Sequence, residues 1–224
     1  MIRAVIFDMF ETLITHYNSP LYFGAQMAAD AGIAENIFQS LWRPTEDDRS
    51  IGKVTFEEVV EMILRKNDCF SEKLLKKITA KRIATKEECF RHLHPEIIPM
   101  LSGLKEKGLY IGLISNCFSE EAEVIRRSEL YPYFNAVYLS YEQGVKKPEE
   151  EIYRRCMSGL SVKAEECFYI GDGGSNELEA AGKLGMKAAQ AVWYLKEENI
   201  YQSIRKPDFL QLEKPLDVLR YLDF

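Results

Sequence analysis

Short apolar segments that end at a polar side chain recur along the chain, and this pattern restricts the folds that it can adopt. The first segment, residues 2–7, is mostly β-branched and apolar and leads directly into Asp8. Such a segment is typical of a strand that is buried on both faces of a parallel sheet. Four later segments repeat the pattern, at residues 109–114, 136–139, 167–170 and 188–193. We therefore expect a parallel sheet whose carboxyl-terminal edge collects polar side chains.

Helical patterns separate these predicted strands. They lie at residues 120–127, 148–158 and 175–184. Because strands that alternate with helices form doubly wound parallel sheets, the chain is predicted to be an α/β protein with a Rossmann-like core.

The alternation is interrupted between residues 16 and 91, where helical patterns follow one another without a convincing strand. We predict that residues 1–15 and 92–224 form the α/β core domain and that residues 16–91 form an inserted helical cap domain. Ser19 and Pro20 fit the start of a cap helix, and Thr55 with Glu58 has the spacing of a capping box. The polar residues 43–52 are predicted to form a turn.

Composition and charge exclude several classes of protein. With 29 Lys and Arg against 35 Asp and Glu in 224 residues, the net charge is −6, and no basic cluster stands out. A nucleic-acid partner is therefore not expected. The apolar segments are shorter than the roughly 18 residues that a membrane span requires, so we expect a soluble protein without a membrane partner. No feature of the sequence indicates the oligomeric state.

The five cysteines are odd in number, widely spread and without a CxxC pair, and the N-terminus does not resemble a signal peptide. This usage favours a reducing, cytoplasmic location, in which each cysteine is a free, packed thiol. Cys117 is included in this expectation, because no histidine is near it in sequence.

The polar residues at the predicted strand ends suggest a common chemistry. The carboxylates of Asp8, Asp172 and Glu177 would repel one another unless a hard divalent cation such as Mg²⁺ were bound between them. Lys147 and the hydroxyl of Ser115 suit the remaining charge of a phosphoryl group.

Four ordered segments carry a resemblance to a known family. They are residues 7–13 (FDMFETL), 113–116 (LISN), 144–148 (GVKKP) and 170–177 (IGDGGSNE). Together they resemble the motifs of the haloacid dehalogenase (HAD) superfamily of hydrolases. The helical insertion between the first two motifs resembles the C1-cap subgroup, which includes proteins like haloacid dehalogenase and phosphoglycolate phosphatase. Of the two adjacent lysines, the one directly before Pro148 fits the third motif.

The resemblance implies a role for each matching residue. Asp8 would be the nucleophile that forms a covalent aspartyl intermediate, and Lys147 would neutralise charge beside it. Thr12 and Ser115 would bind and orient the transferred group. Two roles are open for Asn116, because its side-chain amide could contact the substrate or fix the loop after the strand.

The resemblance also implies a Mg²⁺ site. Asp8 and Asp172 would coordinate the cation, with Glu177 acting directly or through a water molecule. The backbone carbonyl of Phe10 would be a further ligand, which does not depend on the side chain at that position.

Phe10 is a departure from the phosphatases of this family, which carry a second Asp two residues after the nucleophile. Phenylalanine cannot transfer a proton, and general acid–base help contributes roughly 10²–10⁴-fold in rate. Glu11 is a candidate substitute, although its side chain is more simply read as a cap for the next turn or as solvated. An aromatic residue at this place is typical of 2-haloacid dehalogenases, yet those enzymes lack an Asp equivalent to Asp172.

We expect a Mg²⁺-dependent phosphatase that acts on a small phosphorylated metabolite. The alternatives are a 2-haloacid dehalogenase and a non-catalytic member that binds a ligand or a protein. His16 is expected to have an exposed imidazole. Arg43 and Arg49 could reach a carboxylate or sugar group of the substrate, but solvated guanidinium groups are the commoner case and are expected for both.

Overall fold

The computed structural model describes residues 1–196 and 204–222, and a parallel β-sheet forms its centre. Its strands are β1 (Ala4–Phe7), β2 (Tyr110–Ser115), β3 (Ala136–Leu139), β4 (Cys167–Gly171), β5 (Lys187–Ala191) and β6 (Leu210–Leu212). The strand order is β3-β2-β1-β4-β5-β6, and every pairing is parallel. The predicted doubly wound α/β sheet is therefore confirmed.

The position of β1 decides where a ligand can bind. The chain continues from β1 to β2 on one side, whereas β4 lies on the other side of β1 and leads to β5. The crevice between the carboxyl ends of β1 and β4 is therefore the topological switch point, where open α/β sheets bind their ligands. Phe7 is in register with Ile170, so Asp8 and Asp172 leave the sheet side by side.

Helices cover both faces of the sheet, and further helices form the insertion between β1 and β2. In chain order the helices are α1 (Gly24–Ala31), α2 (Glu35–Trp42), α3 (Glu46–Ser50), α4 (Phe56–Lys66), α5 (Glu72–Arg91), α6 (Ile97–Glu106), α7 (Ser119–Arg127), α8 (Ser140–Gln143), α9 (Glu150–Leu160), α10 (Glu177–Lys183) and α11 (Asp217–Arg220). Val5 and Phe7 pack into the apolar core on one face of β1, and Ala4 and Ile6 pack into the core on the other face. Strand residues alternate between faces, so a strand buried on both sides is apolar at every position.

The helices α1–α5 all lie between β1 and β2, where the sequence predicted a helical insertion. They bury an apolar cluster of their own, which includes Met27, Phe38, Phe56 and Ile63. The proposed division into a core domain (1–15 and 92–224) and a cap domain (16–91) follows this insertion and stays a prediction.

The capping box at the start of α4 is confirmed. The backbone nitrogen of Glu58 donates to the Thr55 hydroxyl at 3.1 Å, and the backbone nitrogen of Thr55 donates to the Glu58 carboxylate at 2.7 Å. Each contact satisfies a backbone donor that the first helical turn leaves unpaired.

Two local predictions in the insertion are wrong. Ser19 and Pro20 do not begin a helix, since a short 3₁₀ turn ends at Asn18 and α1 begins only at Gly24. Residues 43–52 are not a simple turn, because they contain a 3₁₀ segment (Arg43–Thr45) followed by α3. Proline at the start of a helix loses no hydrogen bond, so Pro44 is compatible with this helical path.

The short edge strand β6 was not predicted. It has three residues with a glutamine in the middle, which is too short to produce a recognisable apolar segment. Within the described residues, the structure contains no helix that is both long enough and apolar enough to cross a membrane.

Candidate active site

The switch-point crevice gathers the three carboxylates that the sequence singled out. Asp8 follows β1, Asp172 follows β4, and Glu177 is the first residue of α10. Each of the three offers an oxygen, and these oxygens lie within 4.8 Å of one another. All three residues are buried. The predicted convergence of these acids is therefore observed.

Lys147 is the cation that balances part of this charge. Its Nζ donates to Asp8 Oδ1 and to Glu177 Oε2, each at 2.5 Å. Tyr169, which lies on β4, donates its hydroxyl to the same Glu177 oxygen at 2.8 Å. Lys146 points elsewhere and forms an ion pair with Asp47 of α3. The choice of Lys147 over Lys146 as the lysine beside Asp8 agrees with this geometry.

Burial and neighbouring charges shift the pKa values of Asp8 and Lys147. Burial raises the pKa of Asp8 to about 8, with further increases from Glu177 and Asp172, although Lys147 acts in the opposite direction. Burial lowers the pKa of Lys147, but the charges of Asp8 and Glu177 outweigh it and hold that pKa above its usual range. Asp8 and Glu177 therefore share one lysine, and burial and the neighbouring carboxylates oppose the ionisation of Asp8.

Glycine is required where the loop after β4 meets Glu177. A Cβ at Gly171 would lie 2.0 Å from Glu177 Oε1, so any side chain there would displace the carboxylate. The backbone nitrogen of Gly173 donates to the same oxygen at 3.1 Å, and that of Gly174 donates to Asp172 Oδ1 at 3.0 Å. Backbone amides thus orient both acids before any ligand binds.

Thr12 and Ser115, the residues predicted to bind the transferred group, are both fully buried near Asp8. The Thr12 hydroxyl donates to Asp8 Oδ2 at 3.4 Å, which is a weak contact. The Ser115 hydroxyl lies 3.5 Å from the backbone oxygen of Asn116, and in the described residues it has no hydrogen bond to Asp8 or Lys147.

Asn116 holds the loop that carries Lys147. Its Nδ2 donates to the Lys147 backbone oxygen at 2.9 Å, and its Oδ1 accepts from the Lys147 backbone nitrogen at 2.8 Å. Of the two roles left open by the sequence, the structure displays the one that fixes the loop.

Phe10 and Glu11 differ in what their side chains contact. The Phe10 ring stacks on the imidazole of His16, with 4.8 Å between centroids and 14° between planes. The Glu11 carboxylate accepts from the Thr15 hydroxyl at 2.6 Å and from the backbone nitrogen of His16 at 3.0 Å. Glu11 therefore caps the next turn. Its φ of 60° lies in the left-handed region that favours glycine.

The prediction that His16 is exposed is wrong. Only 15% of its side chain is exposed, because it lies between Phe10 and the Lys86 side chain of α5, whose Nζ is 2.6 Å from His16 Nε2. Burial, followed by the positive charge of Lys86, lowers the pKa of His16. A loop residue can be covered by a helix that is distant in sequence, which local pattern does not reveal.

The prediction that Arg49 is solvated is also wrong, since it is 1% exposed. Its guanidinium lies between two rings, with Cζ 3.5 Å from the Trp42 centroid and 4.1 Å from the Phe118 centroid. Trp42 ends α2, and Phe118 follows β2, so two separate parts of the fold enclose this arginine. Arg43, in contrast, is exposed as expected.

A cavity of about 530 Å³ lies between the helical insertion and the sheet edge. Its lining includes Phe10, Asn116 and Lys147 from the core, and Trp42, Arg49 and Lys86 from the inserted helices. Volumes of this size are typical of sites for small molecules.

A buried ionic cluster joins α5 to α7 beside this cavity, and sequence analysis missed it. Arg82 donates to Glu120 at 2.9 Å and to Glu121 at 3.0 Å, and Lys86 pairs with Glu121 at 2.7 Å. Burial alone would raise the pKa of Glu121, but Lys86 and Arg82 outweigh it and hold that pKa at about 2. The i, i+4 spacing of Arg82 and Lys86 was the available signal, and it does not identify their partners.

Cys117 lines the cavity but shows no sign of activation. It is buried, and burial raises its pKa well above the usual range. All five cysteines are free. The expectation that Cys117 is a packed thiol agrees with these features.

Comparison with known proteins identifies the family of this chain. The sequence model of the haloacid dehalogenase-like hydrolase family matches residues 2–185 of this chain. The chain therefore belongs to the haloacid dehalogenase-like hydrolases.

Individual relatives resemble the chain over its whole length. It is 28% identical to a glyceraldehyde 3-phosphate phosphatase from Methanopyrus kandleri, over 99% of both chains. Among solved structures, a HAD phosphatase from Thermococcus onnurineus has a TM-score of 0.69 at 17% identity and covers 99% of this chain and 98% of its own. A 2-haloacid dehalogenase from Pseudomonas syringae pv. Tomato has a TM-score of 0.72 at 20% identity, with 100% and 99% covered. These two structures share the fold.

Proposed function

We propose that this hydrolase is a Mg²⁺-dependent phosphatase that acts on a small phosphorylated metabolite through an aspartyl-phosphate intermediate on Asp8. The observation that carries the proposal is the buried cluster in which Asp8, Asp172 and Glu177 converge beside Lys147. The phosphatase name of the Methanopyrus kandleri relative supports the same reaction class.

The residues at the switch point suit a two-step displacement. An Asp8 carboxylate oxygen attacks phosphorus, the bond from phosphorus to the leaving oxygen breaks, and an aspartyl phosphate forms. Water then attacks the phosphorus, and the bond between phosphorus and the Asp8 oxygen breaks. The Asp8 carboxylate is restored, and the protons of the water stay on the released phosphate or pass to solvent. Lys147 stays protonated throughout, because its pKa is raised, and it offsets the negative charge beside Asp8.

The donor set fits a hard divalent cation. Asp8 and Asp172 would hold Mg²⁺ together with the Phe10 backbone carbonyl, and such a cation would supply charge stabilisation for the transferred group. Both Glu177 oxygens already accept hydrogen bonds, from Lys147, Tyr169 and Gly173, so Glu177 would support the site mainly by fixing Lys147. Burial, together with smaller contributions from the charges of Glu177 and Asp172, raises the pKa of Asp8, and a bound cation would favour its ionised form.

Thr12, Ser115 and Asn116 would complete the phosphate site. Thr12 restrains one Asp8 oxygen through its hydroxyl. Ser115, at the end of β2, would donate to the transferred group. Asn116 would keep Lys147 in place through its two backbone hydrogen bonds.

Phe10 determines which substrates should react well. Without a proton donor at this position, a poor leaving group such as an alkoxide departs slowly. Acyl and aryl phosphates should therefore be favoured over alkyl phosphates, and the phosphoenzyme should be hydrolysed slowly. The Glu11 carboxylate does not replace the missing acid in this scheme, because it caps the turn at Thr15 and His16.

A phosphate-release screen tests the proposal. A panel of acyl, aryl and alkyl phosphates, including glyceraldehyde 3-phosphate, is incubated with Mg²⁺ and with EDTA. We expect phosphate release that requires Mg²⁺ and, in quenched-flow with an aryl phosphate, a burst of leaving group. Phosphate release that is unchanged in EDTA would contradict the proposal. An alkyl phosphate that is hydrolysed as fast as the aryl phosphate, with no burst, would also contradict it.

Phe10 also favours a second candidate, because an aromatic residue at this place is typical of 2-haloacid dehalogenases. A halide leaves without a proton, so that reaction tolerates phenylalanine. Asp172 argues against it, since a buried carboxylate beside Asp8 is unfavourable without a cation. Halide release from 2-haloacids in EDTA would favour the dehalogenase, and binding without any turnover would favour a non-catalytic member.

The helical insertion at residues 16–91 would act as a cap that closes over the substrate and excludes water. Its helices already supply one wall of the cavity. We place the enzyme in the cytoplasm, because its five cysteines are all unpaired and a reducing compartment keeps thiols in that state.

A further inference from the structure

One of the basic side chains that line the cavity, Arg49, forms no ion pair within the described residues. Arginine and lysine side chains that line it in the described part of the chain are Arg49, Arg82, Lys86, Lys146 and Lys147. Four of them form ion pairs with carboxylates of this chain. Arg49 takes part in none of the ion pairs among the described residues.

The guanidinium of Arg49 is also incompletely hydrogen-bonded. Nε donates to the Thr45 hydroxyl at 3.0 Å, and Nη2 lies 3.4 Å from the Trp42 backbone oxygen. Nη1 is buried and has no hydrogen-bond partner among the residues that the structure describes. A buried donor without a partner costs about 1–3 kcal/mol, and more if it is charged, so its retention calls for an explanation.

The rings on either side prevent Arg49 from turning away. Trp42 and Phe118 hold the guanidinium plane between them, which orients its edge and leaves hydrogen-bonding capacity unused. Burial lowers the pKa of Arg49 only to about 10, so the side chain remains positively charged at neutral pH.

We propose that Arg49 is a specificity-determining residue that binds a carboxylate group of the substrate through the unused donors of its guanidinium. The proposal rests on the phosphatase function proposed above and narrows its substrate class to phosphorylated carboxylic acids. The charges of Glu120, Glu121 and Glu46 act on Arg49 without forming an ion pair with it, so a substrate carboxylate would supply the direct contact that the guanidinium lacks. Phe10, Phe23 and Met27 supply apolar lining elsewhere in the cavity and suit the carbon skeleton between the two acidic groups.

A pair of matched substrates tests this assignment. 4-Carboxyphenyl phosphate and 4-carbamoylphenyl phosphate have nearly the same size, but only the first carries a carboxylate. The unaltered enzyme is expected to prefer the carboxylate by roughly tenfold to a hundredfold in kcat/KM, which is the range for a hydrogen bond to a charged group. Both kcat/KM values are measured on the same protein preparation, so their ratio does not depend on the fraction of enzyme that is active.

Arg49→Gln should bring the ratio of the two kcat/KM values close to one. The matched control is Arg43→Gln, which replaces an exposed arginine of the same insertion and should leave the ratio unchanged. A ratio that survives in Arg49→Gln would overturn the proposal. A ratio near one in the unaltered enzyme would do so as well, and that measurement needs no variant to fold.

Calorimetry separates this inference from the proposed function. Both aryl phosphates are titrated into Asp8→Asn protein, with and without Arg49→Gln. Tighter binding of the carboxylate that depends on Arg49 supports the inference even if no phosphate is ever released, in which case only the proposed function fails. Phosphate release without any carboxylate preference leaves the function intact and overturns the role of Arg49.

Discussion

The Nζ of Lys147 lies 2.5 Å from Asp8 Oδ1, and both side chains are more than nine-tenths buried. The two residues are 139 positions apart in sequence, so only the fold brings them together. Because water screens such a pair poorly, its charge interaction is much stronger than on the surface. The contact places a fixed positive charge beside the residue that we propose as the nucleophile.

Asp8→Asn should abolish turnover. The amide keeps the shape of the side chain but cannot form the aspartyl phosphate, so we expect phosphate release to fall by at least roughly 10³-fold. Release is measured with the best aryl phosphate in Mg²⁺, and circular dichroism serves as the control for folding. A variant that retains a substantial part of the rate would exclude Asp8 as the nucleophile.

Phe10→Asp should restore the acid–base group that the family phosphatases carry. We expect the rate with an alkyl phosphate to increase by roughly 10²–10⁴-fold, with a smaller gain for an aryl phosphate, whose leaving group needs less help. Phe10→Leu is the control, because it also removes the stacking on His16 without adding a carboxyl group. Equal rates in the two variants would show that a missing proton donor does not limit this enzyme.

Asn116→Ala should act through Lys147. The substitution removes the hydrogen bonds at 2.8 and 2.9 Å that hold the Lys147 backbone, and we expect kcat to fall by roughly tenfold. The test is a double-mutant cycle with Lys147→Met. If Asn116 only positions Lys147, its substitution should have little further effect once the ammonium is gone. Additive losses, or a change confined to KM, would instead favour a direct contact with the substrate.

Glu121→Gln should destabilise the fold in a pH-dependent manner. Glu121 has a pKa of about 2 in the folded protein, below its ordinary value of 4.5, because of Lys86 and Arg82. Its ionised form therefore stabilises the folded state fully above pH 4.5, and this contribution is lost as the pH falls towards 2. At pH 7, removal of one partner from a buried ionic cluster should cost about 3–5 kcal/mol.

Urea unfolding of the unaltered protein and the Glu121→Gln variant, measured from pH 7 to acid, checks this prediction. The difference in unfolding free energy between the two should shrink as the solution is acidified. Glu123→Gln is the matched control on α7, because Glu123 is exposed and, in the described part of the chain, forms its ion pair with the exposed Arg127. Its effect should be less than about 1 kcal/mol. A difference for Glu121→Gln that does not change with pH would contradict the ionic origin of the stabilisation.

The central sheet and the acids at its edge were predictable because they depend on local pattern. The strand before Asp8 is apolar at every position, since both of its faces are covered. Asp8, Lys147 and Asp172 could be selected because parallel strands present their carboxyl ends at one edge, and the structure places all three there.

The inserted helices were predictable as a region but not in detail. The capping box of Thr55 and Glu58 is a contact between near neighbours, and it marked the start of α4 correctly. Ser19 and Pro20 have an equally suitable local sequence, yet the chain there packs against α5, where the Ser19 hydroxyl lies 3.3 Å from Cys89 Sγ. A tertiary contact of this kind overrides a local preference of a few tenths of a kcal/mol to about 1 kcal/mol.

The sequence by itself therefore determined the alternation of the first five strands with helices and the acids at the sheet edge, since these depend on residues close together in the chain or on the geometry common to all parallel sheets. The lysine beside Asp8 was chosen through the resemblance of residues 144–148 to a family motif. The tertiary structure alone decided which polar residues of the inserted helices are buried. Arg49, Lys86 and His16 all look like surface residues in sequence, and they are covered because Phe118, Glu121 and Phe10 approach them from elsewhere in the fold. The burial of these polar residues depends on such distant pairs, so local pattern does not reveal it.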